Sequence, residues 1–164
     1  MAGGNPCNAL PGCRESNPKF GAIMKHVLSR SSDSPIEFEG TQLGNVKSPA
    51  HARHVANQTN KAHWWEADSY QTDSGVFVVH IKYRWAGKLW REVSQQFVFY
   101  GNPDTVMSGL REFNATACVG GFPSGSAYEE KQAQLLRMVS DDYQTLVKAV
   151  ECQIGNTAKP LVIA

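Results

Sequence analysis

The chain of 164 residues has no stretch near the roughly 18 consecutive apolar residues that a membrane-spanning helix needs. Its first residues also lack the basic region and continuous apolar core of a secretory signal peptide. Both absences lead to the expectation of a cytoplasmic protein with no membrane partner. A dominant charge is missing too: sixteen Lys and Arg against fifteen Asp and Glu leave a formal charge of +1. A molecule so balanced has no overall field to steer it onto nucleic acid or an anionic surface, so any charged partner must be met locally. Cysteine is scarce. Cys7, Cys13, Cys118 and Cys152 are too few and too scattered for a disulfide framework, and a reducing compartment keeps them as thiols. The sequons at Asn57 and Asn114 have no secretion signal beside them to give them meaning.

What is present is concentrated between His63 and Tyr100, which holds all four tryptophans. From Val76 to Trp85 one parity is Phe77, Val79, Ile81, Tyr83 and Trp85, and the other is Val76, Val78, His80, Lys82 and Arg84. Period-two alternation of this kind is a half-buried strand with a cationic outer end. Asp73-Ser74-Gly75 before it and Ala86-Gly87-Lys88 after it supply turns. Leu89 to Tyr100 then reads as the next strand and Trp64 to Tyr70 as the preceding one, making an antiparallel meander.

On either side the pattern changes. Residues 1–17 are rich in Gly, Pro and Asn and read as an irregular arm. Asn17-Pro18 then opens a short amphipathic helix to Ser29, with Phe20, Ile23, Met24, Val27 and Leu28 at helical spacing. Ile36 and Phe38 alternate with Glu37 and Glu39 as a short strand, and residues 40–63 are illegible, either a weak helix from Ser48-Pro49 or a long loop. Beyond the meander, Asn102-Pro103-Asp104 starts a helix with Val106, Leu110 and Phe113 on one face. Ser126 and Glu129 make a capping box for a long helix whose apolar stripe is Leu135, Val139, Tyr143, Leu146, Val150 and Ile154, ending at Gly155. The expected fold is one α+β domain over 1–164: an antiparallel meander of three or more strands (63–100), with the helical part (102–155) packed on one face.

Four groupings could carry chemistry. The strongest is the aromatic-basic hairpin Lys82, Arg84, Trp85, Lys88, Trp90 and Arg91, in which rings stack on bases while cations meet phosphates. The bland alternative is that the rings point into the core and the cations keep a sheet soluble. The glycine-rich loop 120–125 opens a helix, yet it lacks the Lys-Ser/Thr ending of a phosphate-binding loop, and Glu129 and Glu130 already compensate the helix terminus. Cys7 and Cys13, with His26 or the pair His51 and His54 on one helical face, lack the tight spacing of zinc sites. Cys118 and Cys152 have no base beside them in sequence, and Cys152 sits near a helix C-terminus, where thiol pKa rises.

Paired carboxylates do not rescue catalysis, since Asp141-Asp142 and Glu129-Glu130 are helix neighbours that diverge. The expectation is therefore a non-catalytic protein without cofactor or metal. Its partner is single-stranded nucleic acid on the hairpin, or another protein or copies of itself in a homo-oligomer. The aromatic strands followed by C-terminal helices, with Ser140 to Lys148 (SDDYQTLVK) at the helical end, resemble in layout the coat proteins of small RNA bacteriophages. That resemblance implies a self-assembling viral structural subunit.

Overall fold

The computed structural model describes residues 22–49, 51–55, 58–86, 92–118 and 126–158. Six strands form one antiparallel sheet: β1 (Ile23–Arg30), β2 (Asp33–Lys47), β3 (His51–Val55), β4 (Gln58–Thr72), β5 (Phe77–Ala86) and β6 (Glu92–Gly101). Five of them lie in the order β1-β2-β4-β5-β6, and β3 pairs with β4 beside β2. Two helices follow, α1 (Pro103–Glu112) and α2 (Ser126–Ala158), with a 3₁₀ turn (Ala115–Cys118) between them. This is the expected α+β architecture, an antiparallel meander with a long C-terminal helix packed against it.

The alternation in β5 decides which face the helices take. Phe77, Val79, Ile81 and Tyr83 are buried with Trp65 and Ala67 of β4 against Val106, Met107 and Leu110 of α1 and the whole expected stripe of α2, from Leu135 to Ile154. The turn between β4 and β5 centres on Ser74, where Gly75 takes a positive φ of 89° that an L side chain would strain. At the head of α1 the Asn102 side chain accepts from the Thr105 N–H, and Pro103 occupies the first turn, where its missing donor costs nothing.

Three expectations about the elements need correction. Ile23 to Ser29 is a strand, not the end of a helix, because β1 pairs with β2 from Ile23↔Thr41 to Arg30↔Asp33. Residues 18–21 of that expected helix lie outside the described residues. Pairing overrides the local i, i+3, i+4 pattern, and only Leu28 of its apolar members within β1 is buried. The stretch 40–63 is mostly strand: β2 runs on to Lys47, β3 spans His51–Val55 and β4 already starts at Gln58. No helix opens at Ser48, whose N–H and hydroxyl instead bind the carbonyl and N–H of Trp65. Gly44 shows why its neighbourhood looked broken: a Cβ there would come within 2.5 Å of the Gln153 amide, so a bulged, side-chain-free position lets α2 approach β2. Lastly, α2 does not stop at Gly155 but continues to Ala158, because Gly155 faces open space and a lone exposed glycine costs a helix only about 1 kcal/mol.

The second face of the sheet is not left open along its whole length. The β1–β2 hairpin curls over it, and Leu28, Tyr70 and Val78 form a second, smaller core with Phe38 and Val98. Val78 and His80 belong to the expected outer parity of β5, yet both are buried by this hairpin.

Candidate functional site

The expected contact set begins on the uncovered part of that second face. Lys82 and Arg84 stand there two residues apart on β5, as their parity requires. Each is held by a carboxylate of β4. Lys82 Nζ lies 3.2 Å from Asp68 Oδ2, and Arg84 Nε lies 2.9 Å from Glu66 Oε2. Lys47 of β2 adds a third cation, 3.2 Å from the other Glu66 oxygen.

The two carboxylates are themselves buried and well supplied with donors. Asp68 Oδ1 accepts from Asn45 Nδ2 at 2.6 Å and from Gln42 Nε2 at 3.0 Å, while Oδ2 faces Lys82. The arrangement is a cross-strand ladder of ion pairs, in which the acid partners lower the positive potential that a phosphate would meet. Trp64 sits directly opposite Arg84 in the β4–β5 register and is half-buried, so one large ring joins the three cations on this face.

Glu66 and Asp68 were missed in the sequence reading. Their signal was available, since a hairpin centred on Ser74 sets Glu66 opposite Lys82 and Asp68 opposite His80. The remaining members of the expected set are not brought together by described side chains. Trp85 lies in β5 opposite His63 and Val93, with its side chain outside the described residues, and Lys88, Trp90 and Arg91 lie wholly outside them.

The helix-side aromatics serve the core. Trp65 donates its indole N–H to the Val139 carbonyl at 3.1 Å, and Tyr143 donates its hydroxyl to the Leu110 carbonyl at 2.6 Å. Their rings pack 5.0 Å apart, with Phe113 closing the group. His63 Nδ1 and the Tyr83 hydroxyl share a buried hydrogen bond beside them.

The Cys118 candidate lacks the surroundings of a nucleophile. Cys118 is buried in the 3₁₀ turn, and burial pushes its thiol up to about 11, away from the thiolate. His51 and His54 lie on β3 rather than on a helix, so the helical spacing that would join them does not apply. Cys7, Cys13 and the glycine-rich loop 120–125 lie outside the described residues. Among the described residues no three His, Cys, Asp or Glu side chains cluster as a metal site, and no helix is long and apolar enough to cross a membrane.

The other chemically distinct feature is at the sheet edges. Among the described residues the large hydrophobic side chains that stand exposed are Ile23 (67%), Met24 (55%), Val27 (62%) and Tyr100 (60%). The first three are on β1 and the last is on β6, the two outermost strands of the sheet. The chain matches no protein-family model, no curated protein and no solved structure.

Proposed function

We propose that the chain is a non-catalytic structural subunit that associates with copies of itself through the edges of its sheet. The observation that carries this reading is the placement of those four exposed apolar side chains on β1 and β6. An edge strand offers backbone donors and acceptors to any incoming strand, and soluble monomers usually blunt such edges with charge, proline or a covering element. Here β1 carries Lys25 and a register shift between Leu28 and Arg30, yet it keeps three apolar side chains in solvent. A second strand laid against it would satisfy the backbone and bury the apolar groups together. The order of elements, sheet first and two helices after, is the layout on which the sequence resembles small RNA bacteriophage coat proteins, and it supports assembly of many copies. Static light scattering over a concentration series tests the reading: mass must rise with concentration, and a strict monomer at high micromolar concentration overturns it.

A second reading is single-stranded nucleic acid binding on the ladder face, favoured by the meeting of Lys47, Lys82 and Arg84 with Trp64. The three cations outnumber Glu66 and Asp68 by one, and Trp85, Lys88, Trp90 and Arg91 complete the contact set of this reading. Titration with a short oligonucleotide at two salt concentrations checks it. Affinity must fall as salt rises, and absent or salt-insensitive binding removes it.

A further inference from the structure

The β1–β2 hairpin is fastened across the second face at its tip by only a few groups. His80 Nε2 lies 3.0 Å from the Ser29 carbonyl, which only accepts, so this nitrogen carries the proton. Ser31 donates its N–H to the Gln96 carbonyl at 3.0 Å and accepts the Gln96 N–H on its hydroxyl at 2.7 Å. Beside the tip, Leu28 and Phe38 of the hairpin pack on Tyr70, Val78 and Val98 in a small core separate from the main core under the helices. The hairpin's contacts are thus apart from the helix-covered core.

We propose that the hairpin is an acid-released strap: a proton taken up by His80 favours the lifted state, in which Ser29 and Ser31 leave β5 and β6 and the apolar cluster beneath is bared. In the fastened state His80 is 4% exposed, so an imidazolium there has lost its water. Among the described residues the charged and titratable groups around it are few. From β5 Lys82 stands two residues on along the same face; from β4 come Asp68 and Tyr70; from β6 there is the uncharged Gln96; and β1 offers the Ser29 carbonyl. Arg30, next in the tip, is engaged by Asp33 and the Ser34 carbonyl. Asp68, the one anion that would welcome the proton, already holds Lys82, Asn45 and Gln42. The balance lowers the proton affinity of His80, through burial first and Lys82 second, against the opposite pull of Asp68, Ser29 and Gln96. Lifting the strap returns the ring to water and to its ordinary affinity. Sign follows directly: the fastened state binds the proton less well, so fastening is fully favoured above the ordinary histidine pKa and weakens as pH falls below it. One proton limits the change in the opening constant to about tenfold per pH unit.

Amide hydrogen exchange by NMR tests this on the full chain, corrected for intrinsic exchange. Between neutral and mildly acid pH the Ser31 and Gln96 amides must lose protection by several-fold relative to Val79 and Ile81 in the main core. His80→Gln keeps an N–H in reach of Ser29 without a titrating ring, and it must flatten that response. His26 is the histidine of the hairpin itself, its ring tilted against that of Tyr70 at 4.6 Å, so His26→Gln must leave the response intact. If His80→Gln does not fold, the wild-type ring resonances decide: the loss of Ser31 and Gln96 protection must set in near the ordinary histidine pKa and level off near the His80 midpoint. No differential loss, a response that survives His80→Gln, one that disappears with His26→Gln, or a loss that continues undiminished well below the His80 midpoint each overturn the proposal.

Discussion

The Trp65 indole hydrogen-bonds the Val139 carbonyl of α2 while its ring lies against Tyr143, so one side chain of β4 locks the long helix to the sheet in both position and rotation. Trp65→Phe keeps most of the ring volume but drops the donor, and should cost about 1–2 kcal/mol. Trp65→Ala also opens a cavity and should cost about 3–5 kcal/mol. Urea unfolding measures both, and equal losses for the two variants would mean that the ring contributes nothing beyond the hydrogen bond.

Gly44 and Gln153 should be coupled. A methyl at position 44 meets the Gln153 amide at 2.5 Å, while that side chain also accepts the Ser69 hydroxyl at 2.9 Å. Gly44→Ala is expected to destabilise by about 1–3 kcal/mol through overpacking. Combined with Gln153→Ala the two losses should sum to less than their separate values, a coupling of about 0.5 kcal/mol or more in a double-mutant cycle. Strict additivity would contradict the contact.

Cys118 should be slow toward alkylating agents in the native protein near neutral pH, because its thiol is buried and pushed up to about 11. Cys152, partly exposed on α2, should label before it. Since the folded state holds the Cys118 proton more tightly than the unfolded chain does, this group makes stability fall as pH rises from the ordinary thiol value toward about 11. Peptide mass spectrometry after timed labelling decides the order, and faster labelling at Cys118 would return it to consideration as a nucleophile.

Asp68→Asn separates the two roles of the ladder. The variant keeps an acceptor for Asn45 and Gln42 but leaves Lys82 without its carboxylate, and should cost about 1–3 kcal/mol of stability. If the ladder face also binds single strands, affinity should rise several-fold as Lys82 is released to meet phosphate. A thermal melt beside an oligonucleotide titration reads both, and weaker binding by a folded variant would remove Lys82 from the contact set.

The parts that were legible in sequence are those where two signals agree. In β5 the period-two alternation and the flanking turn both point to a strand, and Phe77, Val79, Ile81 and Tyr83 go inward as parity requires. In α2 the stripe from Leu135 to Ile154 is continuous over many turns, which no strand could bury on one side. Where one signal stood alone it misled. The spacing of Ile23, Met24, Val27 and Leu28 matches a helix, but three of those residues face solvent on a strand whose stability comes from its pairing with β2. The glycines and bulge of β2 erased its alternation, because Gly44 answers to α2, more than a hundred positions away in the chain. At the candidate site Lys82 and Arg84 were legible as neighbours, whereas Glu66 and Asp68 become their partners only once the register about Ser74 is fixed.

Edge association is tested most directly by light scattering on Ile23→Lys/Val27→Lys beside the unchanged chain, with a thermal melt of each. Both positions are exposed, so the substitutions should leave the fold within about 0.5 kcal/mol of its original stability. The unchanged chain should gain mass with concentration, and the lysine variant, its β1 edge now bearing three lysines, should stay monomeric. Undiminished assembly by the folded variant, or a monomeric unchanged chain, would contradict edge association.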